Sequence, residues 1–476
     1  MWREACGVEL AVPRLRAVAG RISTSSPGFK IESSQVLFSW VDLNRWLSPI
    51  LASEVPTIVF PMDDNPTAAK RTFEISFYLF ALGGAVGLLN LAQVLPFGDG
   101  FEMVALAKNL ANHGAYANPL LVLPTGPSAY CPPMYPLLLA LFFKVLRVPP
   151  LVMLAASLGN IVVNALTAAW LPRISWVFFG DALPGVFASV FWLMSVQLMP
   201  SWDSGCTVSL LLLLILYSSA TVKKGSWKPH AAAGLLAGII FLFNPMTVLV
   251  MLPWMAYRMA VCGASRKHKA QYGCVFLGVF AFAVLPWILR NERQVGGFVV
   301  RTSMGLTLYI SNTDCSSTSL YEDLHSGCAL KYEPNFNVNE AQAMRNLGEL
   351  NYDRQRLGAA KAWVQAHPAQ FRRLTLARMV AFWFPQREEH PFKASVIWIA
   401  TILSLPGLGL MAYDRKRVIV FVLFVLAVYP PIYYVVVSDV RYRYPVLWLT
   451  FLSAGYLLTR LLRLLQARQE LKPMWD

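Results

Sequence analysis

Eleven apolar runs divide this chain, at roughly 74–95, 133–146, 151–172, 183–199, 206–222, 230–245, 246–261, 272–289, 393–412, 416–437 and 441–463. About 20 uncharged apolar residues wound as a helix cross a hydrocarbon core about 30 Å thick. No water is available there for backbone N–H and C=O groups, so a spanning segment is a helix or part of a closed barrel. None of the runs alternates apolar and polar residues as barrel strands do. The expected fold class is an all-α polytopic membrane protein. Composition agrees, because only 14% of residues are charged, against about 25% in a soluble domain.

The net charge of +15 sits in short basic loops, "VKKGSWK", "SRKHK" and "DRKR", and at the C-terminal end. That is the positive-inside distribution rather than a nucleic-acid footprint, and no nucleic-acid partner is expected. The loops at 223–224, 266–269 and 414–417 and the C-terminus are each separated by two runs, so they share the cytoplasmic side. Lys70 and Arg71 belong there too, yet five runs lie between them and Lys223. One run must then fail to cross. The weakest is "MYPLLLALFFKVL", which covers about 20 Å at the helical rise. We therefore expect 133–146 to lie along the outer face, leaving ten spans; eleven crossing runs is the alternative. The layout is a cytoplasmic tail over 1–70, a transmembrane core over 71–289 with a first outer loop at 96–150, a mostly helical insert over 290–392, and C-terminal transmembrane helices over 393–476. Met62 opens a compact lead-in to the first run and reads as an alternative start. Residues 96–150, 200–205, 290–390 and 438–441 share the extracytoplasmic face.

The 7 cysteines show no metal-ligand spacing. Cys6, Cys206, Cys262 and Cys274 lie in the tail or in and beside apolar runs, as small buried thiols do. Cys315 and Cys328 share one hydrophilic segment. They would be bridged on an oxidising side and free on a reducing one.

Charged residues on the outer face carry the chemistry. Asp99 and Glu102 in "FGDGFEMVALAKNLANHGAY" admit two readings. One is a capping box with Glu102 at the third helical position; the other makes Asp99 a general base at the mouth of the first span. Asp203, in "MPSWDSGC", is either a simple loop acid or the partner in a carboxylate site. Arg441 and Arg443 in "VSDVRYRYPVLW", with Arg290, Arg293 and Arg301, sit at outer ends, where insertion signals do not call for them. Their planar forks suit phosphate, although long side chains also snorkel to headgroups. "PTGPSAYCPPMYP" is a turn stiffened by proline.

Together these pieces resemble the C-type-fold glycosyltransferases that use polyprenyl-phosphate sugars, in particular the protein O-mannosyltransferase and aminoarabinose transferase families. The resemblance runs from about 74 to 463 through "GDGFEMVALAKNLANHGAY", "PTGPSAYCPPMYPLLLALFFKVL", "SWDS", "AGLLAGIIFLFNP", "VLPWILRN", "GLTLYISN" and "RYRYP", in that order. It implies a fold with interfacial helices in the first outer loop and a site facing outward, in a bacterial inner membrane. It also implies that Asp99 is the essential acid of that loop, with Glu102 beside it and Asp203 as the acid of the second loop. Arg441 would hold the donor phosphate with Arg443, Arg301 and Arg290, and Tyr135, Asn312, Tyr442, Lys108 and His113 would line the pocket. The expected reaction moves a sugar from a polyprenyl-phosphate donor, with inversion, to an acceptor left open among glycan, lipid and protein. Protein mannosyltransferases place a second acid directly after the first, whereas Gly100 follows Asp99 here. Asp99, Asp203 and Glu102 offer oxygen ligands that suit Mg²⁺ or Mn²⁺, but with arginines available for phosphate no obligatory metal or cofactor is expected. Two other classes compete. A transporter or flippase would show ionisable groups at mid-membrane and paired broken helices; an accessory protein on the same scaffold would bind without cleaving.

Overall fold

The computed structural model describes residues 66–91, 102–196, 202–221, 226–387 and 390–471. Residues 1–65, which make up nearly all of the expected tail, lie outside them, and so does Asp99. Helix α1 (Pro66–Leu89) starts a few residues ahead of the expected first span. The outer loop contributes two short helices, α2 (Glu102–His113) and α3 (Met134–Leu146). Then come α4 (Pro149–Phe179), α5 (Leu183–Ser195), α6 (Ser204–Thr221), α7 (Lys228–Phe243), α8 (Val248–Val261) and α9 (Arg266–Val295).

Local chemistry sets the boundaries. Helix α4 opens on Pro149 and Pro150, whose missing donors cost nothing at a first turn, and stops at Gly180, left-handed with φ 72°. Ser265 caps α9 by accepting from the His268 N–H, and Gly296, φ 84°, ends it. Between α7 and α8 the chain breaks at Asn244–Pro245, where the Asn244 side chain accepts from the Met246 N–H before a short 3₁₀ turn.

The insert supplies α10 (Met304–Ser311), α11 (Leu320–His325), α12 (Cys328–Tyr332), α13 (Val338–Leu347), α14 (Glu349–Ala366) and α15 (Pro368–Trp383). Pro368 separates the last two, opening α15 where it can no longer continue α14. The chain closes with α16 (Pro391–Tyr413), α17 (Ile419–Val428), α18 (Pro431–Tyr434), a 3₁₀ turn at Val440–Arg443, and α19 (Tyr444–Leu471).

Among the described residues, 6 helical stretches are long and apolar enough to cross a membrane: Ala69–Leu89, Pro149–Phe179, Ser204–Thr221, Arg266–Val295, Pro391–Tyr413 and Val440–Gln469. Shorter apolar helices at Met134–Leu146, Leu183–Ser195, Lys228–Phe243, Pro245–Val261 and Ile419–Tyr434 account for the other apolar runs. Helix α1 packs on α4, α7 on α9, and α16 on α19, which also meets α5. Gly407 and Ser453 explain the closeness of α16 and α19: a β-carbon on Gly407 would overlap the Ser453 carbonyl. The main core is buried around Trp192, Trp254, Phe421 and Trp448. A second core joins α2 and α3 to Leu306, Met344 and Tyr352 of the insert, so the outer loop and the insert fold onto each other.

Cys315 and Cys328 are disulfide-bonded. The bridged loop is also fastened to the chain ahead of α19: Ser438 N–H donates to the Thr318 carbonyl at 2.9 Å, and Leu320 N–H to the Ser438 carbonyl at 3.1 Å. The opposite end of the bundle is tied by ion pairs, Arg463–Asp181 at 2.7 Å and Arg460–Asp414 at 3.1 Å, and by Lys416 donating to the Phe179 carbonyl at 3.3 Å.

Candidate active site

Glu102 is the first described residue of α2. Its carboxylate is 9% exposed and accepts from Asn335 Nδ2 at 2.7 Å, across the chain from the insert. Burial raises its pKa; its own backbone N–H, Arg301, Arg441 and Asn335 offset this in part. Glu333, two residues before Asn335, accepts from the Tyr130 hydroxyl at 3.3 Å. Burial and the nearby Glu102 charge push its pKa up to about 8.

Asp203 sits one residue ahead of α6, 7% exposed, and accepts from the Thr207 hydroxyl at 2.9 Å. Burial raises its pKa too, and the Arg301 and Arg441 charges pull it back. The same two guanidiniums therefore act on both acids, and these four groups share one neighbourhood. The Tyr135 hydroxyl, on α3, is within electrostatic reach of Asp203, and Tyr442 is within reach of Glu102, Arg301 and Arg441. Tyr433 stacks on Tyr442 with ring centres 4.9 Å apart.

Arg441 is positioned on two sides. Its Nε donates to Asp439 Oδ2 at 2.7 Å, and its guanidinium lies 3.8 Å from the centre of the Trp202 ring, a cation–π contact. The "SWDS" loop thus carries both a buried acid and the platform for the arginine. Arg301 donates through Nε to the Tyr130 carbonyl at 3.2 Å and to the Ser303 hydroxyl. The terminal nitrogens of both arginines have no hydrogen-bond partner among the described residues, so two forks are open to an anion.

The remaining expected residues stand elsewhere. Arg443 is turned inward, 1% exposed, donating to the Trp383 carbonyl at 2.6 Å and to the Thr401 and Thr450 hydroxyls at 2.9 and 3.1 Å. It closes the junction of α15, α16 and α19, which corrects its reading as a phosphate ligand. Arg290 is corrected likewise. It donates to the Tyr116 carbonyl at 2.7 Å and to the Ser128 carbonyl, and stacks against Trp287, clamping the outer loop onto α9. Asn312 is buried, with its amide bonded to the Leu308 and Val435 carbonyls and accepting from Arg378; it fastens the insert and lines no pocket. Lys108 lies over the Phe143 ring at 6.0 Å, and His113 is exposed at the end of α2.

Glu333, Asn335, Glu349 and Arg378 were missed by sequence reasoning. Glu349, 4% exposed, accepts from the Ala129 N–H at 2.7 Å and from the Thr302 hydroxyl, tying the insert to the outer loop. Arg378, fully buried, donates to the Ser317 carbonyl at 2.9 Å and to the Ser311 carbonyl. No signal in the sequence marks them, because each finds its partner through the fold. Among the described residues no three metal-ligating side chains gather. Glu102 and Asp203 are oxygen donors of the kind Mg²⁺ or Mn²⁺ takes, and each already accepts a neutral hydrogen bond.

No family model matches the chain, and no curated protein matches it in sequence. Its fold is similar to that of the archaeal oligosaccharyltransferase AglB from Archaeoglobus fulgidus in complex with an inhibitory peptide and a dolichol-phosphate. That match has a TM-score of 0.50 at 12% identity, over 84% of this chain and 52% of that one. The apo form of the Archaeoglobus fulgidus enzyme matches with a TM-score of 0.48 at 10% identity, over 83% of this chain and 52% of that one. Its complex with Zn and sulfate matches with a TM-score of 0.48 at 11% identity, over 82% and 50%. The chain thus spans about half the length of these neighbours. The likeness is one of fold alone, an all-α arrangement with helices long and apolar enough to cross a membrane.

Proposed function

We propose that this protein is a membrane glycosyltransferase that moves a sugar from a polyprenyl-phosphate-linked donor to an acceptor on the non-cytosolic face of the membrane. The observation that carries the reading is the meeting of two buried carboxylates, Glu102 and Asp203, with the open guanidinium forks of Arg301 and Arg441 at one end of the helix bundle. A C-type fold supports it. So does the dolichol-phosphate bound by the archaeal neighbour, a ligand of the same chemistry as the donor. The Cys315–Cys328 bridge supports an oxidising side for the insert.

The lipid phosphate pairs with Arg441 and Arg301, and the sugar lies towards the acids. Asp99, the acid of the first outer loop by sequence position, accepts the proton of the acceptor nucleophile, while Asp203 and Glu102 orient it. The nucleophile bonds to the anomeric carbon as the bond from that carbon to the phosphate oxygen breaks. The polyprenyl phosphate leaves with the electron pair, its charge already met by the arginines. Attack opposite the leaving group inverts the anomeric centre. This chemistry needs no metal.

Purified protein in nanodiscs, supplied with several labelled polyprenyl-phosphate sugars and membranes of the source cell, should release polyprenyl phosphate and label a product of inverted configuration. Asp99→Asn should abolish turnover and leave insertion intact. Transport of the lipid without bond cleavage, or a retained anomer, would sink the proposal.

A further inference from the structure

Reading along the chain does not bring residues 333–335 near the acids, yet the fold places them there. The disulfide at Cys328 starts α12, which ends at Tyr332, and the chain then turns Glu333 and Asn335 towards α2. Asn335, 6% exposed, spends both its donors on carboxylates: Nδ2 lies 2.7 Å from Glu102 Oε1 and 3.5 Å from Glu333 Oε1. The short contact sets which end of the amide is which with Glu102 ionised, because the reverse orientation would press its oxygen against that carboxylate. The other end, Oδ1, is buried and has no hydrogen-bond partner among the described residues. Buried amide oxygens are rarely left so. This one lies beside a carboxylate already placed in the site.

We infer that Asn335 Oδ1, with Glu333, forms the acceptor-positioning subsite, and that the acceptor is a sugar. A nucleophilic hydroxyl facing the acids uses one hydrogen, and the orphaned oxygen requires a second donor close by. A serine or threonine brings one hydroxyl with its backbone N–H as the one further donor beside it; a sugar ring brings several hydroxyls on adjacent carbons. Glu102 Oε, Glu333 Oε and Asn335 Oδ1 set three acceptor atoms on one small patch, which suits adjacent ring hydroxyls. Cys315–Cys328 holds the arm that carries two of them. The inference rests on the glycosyl-transfer reading and adds to it the class of molecule receiving the sugar.

The test uses the full chain in nanodiscs with a labelled donor that the wild type turns over, and asks where the label goes and how Asn335→Ala and Glu333→Gln change it. Label should enter a carbohydrate product. Both variants should transfer about tenfold more slowly or worse, chiefly through a raised KM for the carbohydrate acceptor fraction. Binding of undecaprenyl phosphate should stay within about twofold of wild type, since the arginine side is untouched, and the melting temperature of Glu333→Gln should not fall. Label in protein, or wild-type transfer by both variants, overturns the subsite and leaves the enzyme. Parallel loss of undecaprenyl phosphate binding and transfer also overturns it, by showing that these residues only fasten the insert. Should Asn335→Ala fail to fold, Glu333→Gln carries the test alone. No cleavage of any donor by wild type would instead sink the glycosyl-transfer reading, and this subsite with it.

Discussion

The two ends of the helix bundle use charge in opposite ways. At the basic end two acids have their cations: Asp181 is paired with Arg463, and Asp414 with Arg460 and the Tyr456 hydroxyl at 2.5 Å. At the other end Glu102 and Asp203 are bonded to neutral partners, Asn335 and Thr207, while the cations stand off and act on both through space. Paired surface charge closes a junction and is finished. Buried acids with raised pKa beside open guanidiniums are unfinished, and a ligand completes them.

The largest test of this contrast is Arg441→Ala. Removing the fork held over Trp202 should lower transfer about a hundredfold or more, with Arg441→Lys restoring only part, since it offers a point charge in place of a planar fork. Steady-state kinetics with saturating acceptor would show it. A buried cation closed by carbonyls should behave differently. Arg378→Ala leaves the Ser311 and Ser317 carbonyls without their donor, and should cost about 3 kcal/mol or more of stability, read by denaturant or thermal unfolding in detergent.

Glu333→Gln sharpens the picture through pH. A carboxyl whose folded pKa is raised contributes stability that is present below its ordinary value and lost as pH rises through the folded value, here about 8. The wild-type melting temperature should therefore exceed its value at pH 9 when measured near pH 5, and the variant should lose the part of that slope that belongs to Glu333. A variant that keeps the full slope would remove Glu333 from the acid cluster. The smallest effect is expected at the closed end. Arg463 is 57% exposed, so Arg463→Ala should change stability by less than about 1 kcal/mol and leave transfer unchanged. A loss of transfer there would break the contrast itself.

The helices were legible because bilayer thickness and backbone satisfaction leave an apolar run few alternatives, and because Pro368 and Asn244–Pro245 punctuate the chain where the structure does. The site was legible only in outline. Arg441 and Arg443 look equivalent in "RYRYP", yet residues two apart in a 3₁₀ turn point about 120° away from each other. One meets Trp202 and the other the interior. Arg290 resembles a phosphate ligand until two loop carbonyls are seen to occupy it. Glu333 and Asn335 lie in "KYEPNFN", a stretch with no periodicity or motif, and only the second core shared by the outer loop and the insert brings them to α2. Local pattern records what a segment does alone; these roles depend on a distant partner.

The residues of the pocket are scattered from Glu102 to Arg441, and this has a bearing on biosynthesis. A ribosome delivers the acids early and the last guanidinium only as the final helix emerges. Any shortened product ending before Arg441 would keep the Arg301 charge beside its acids but lack the guanidinium held over Trp202, and would meet a lipid phosphate with one fork in place of two.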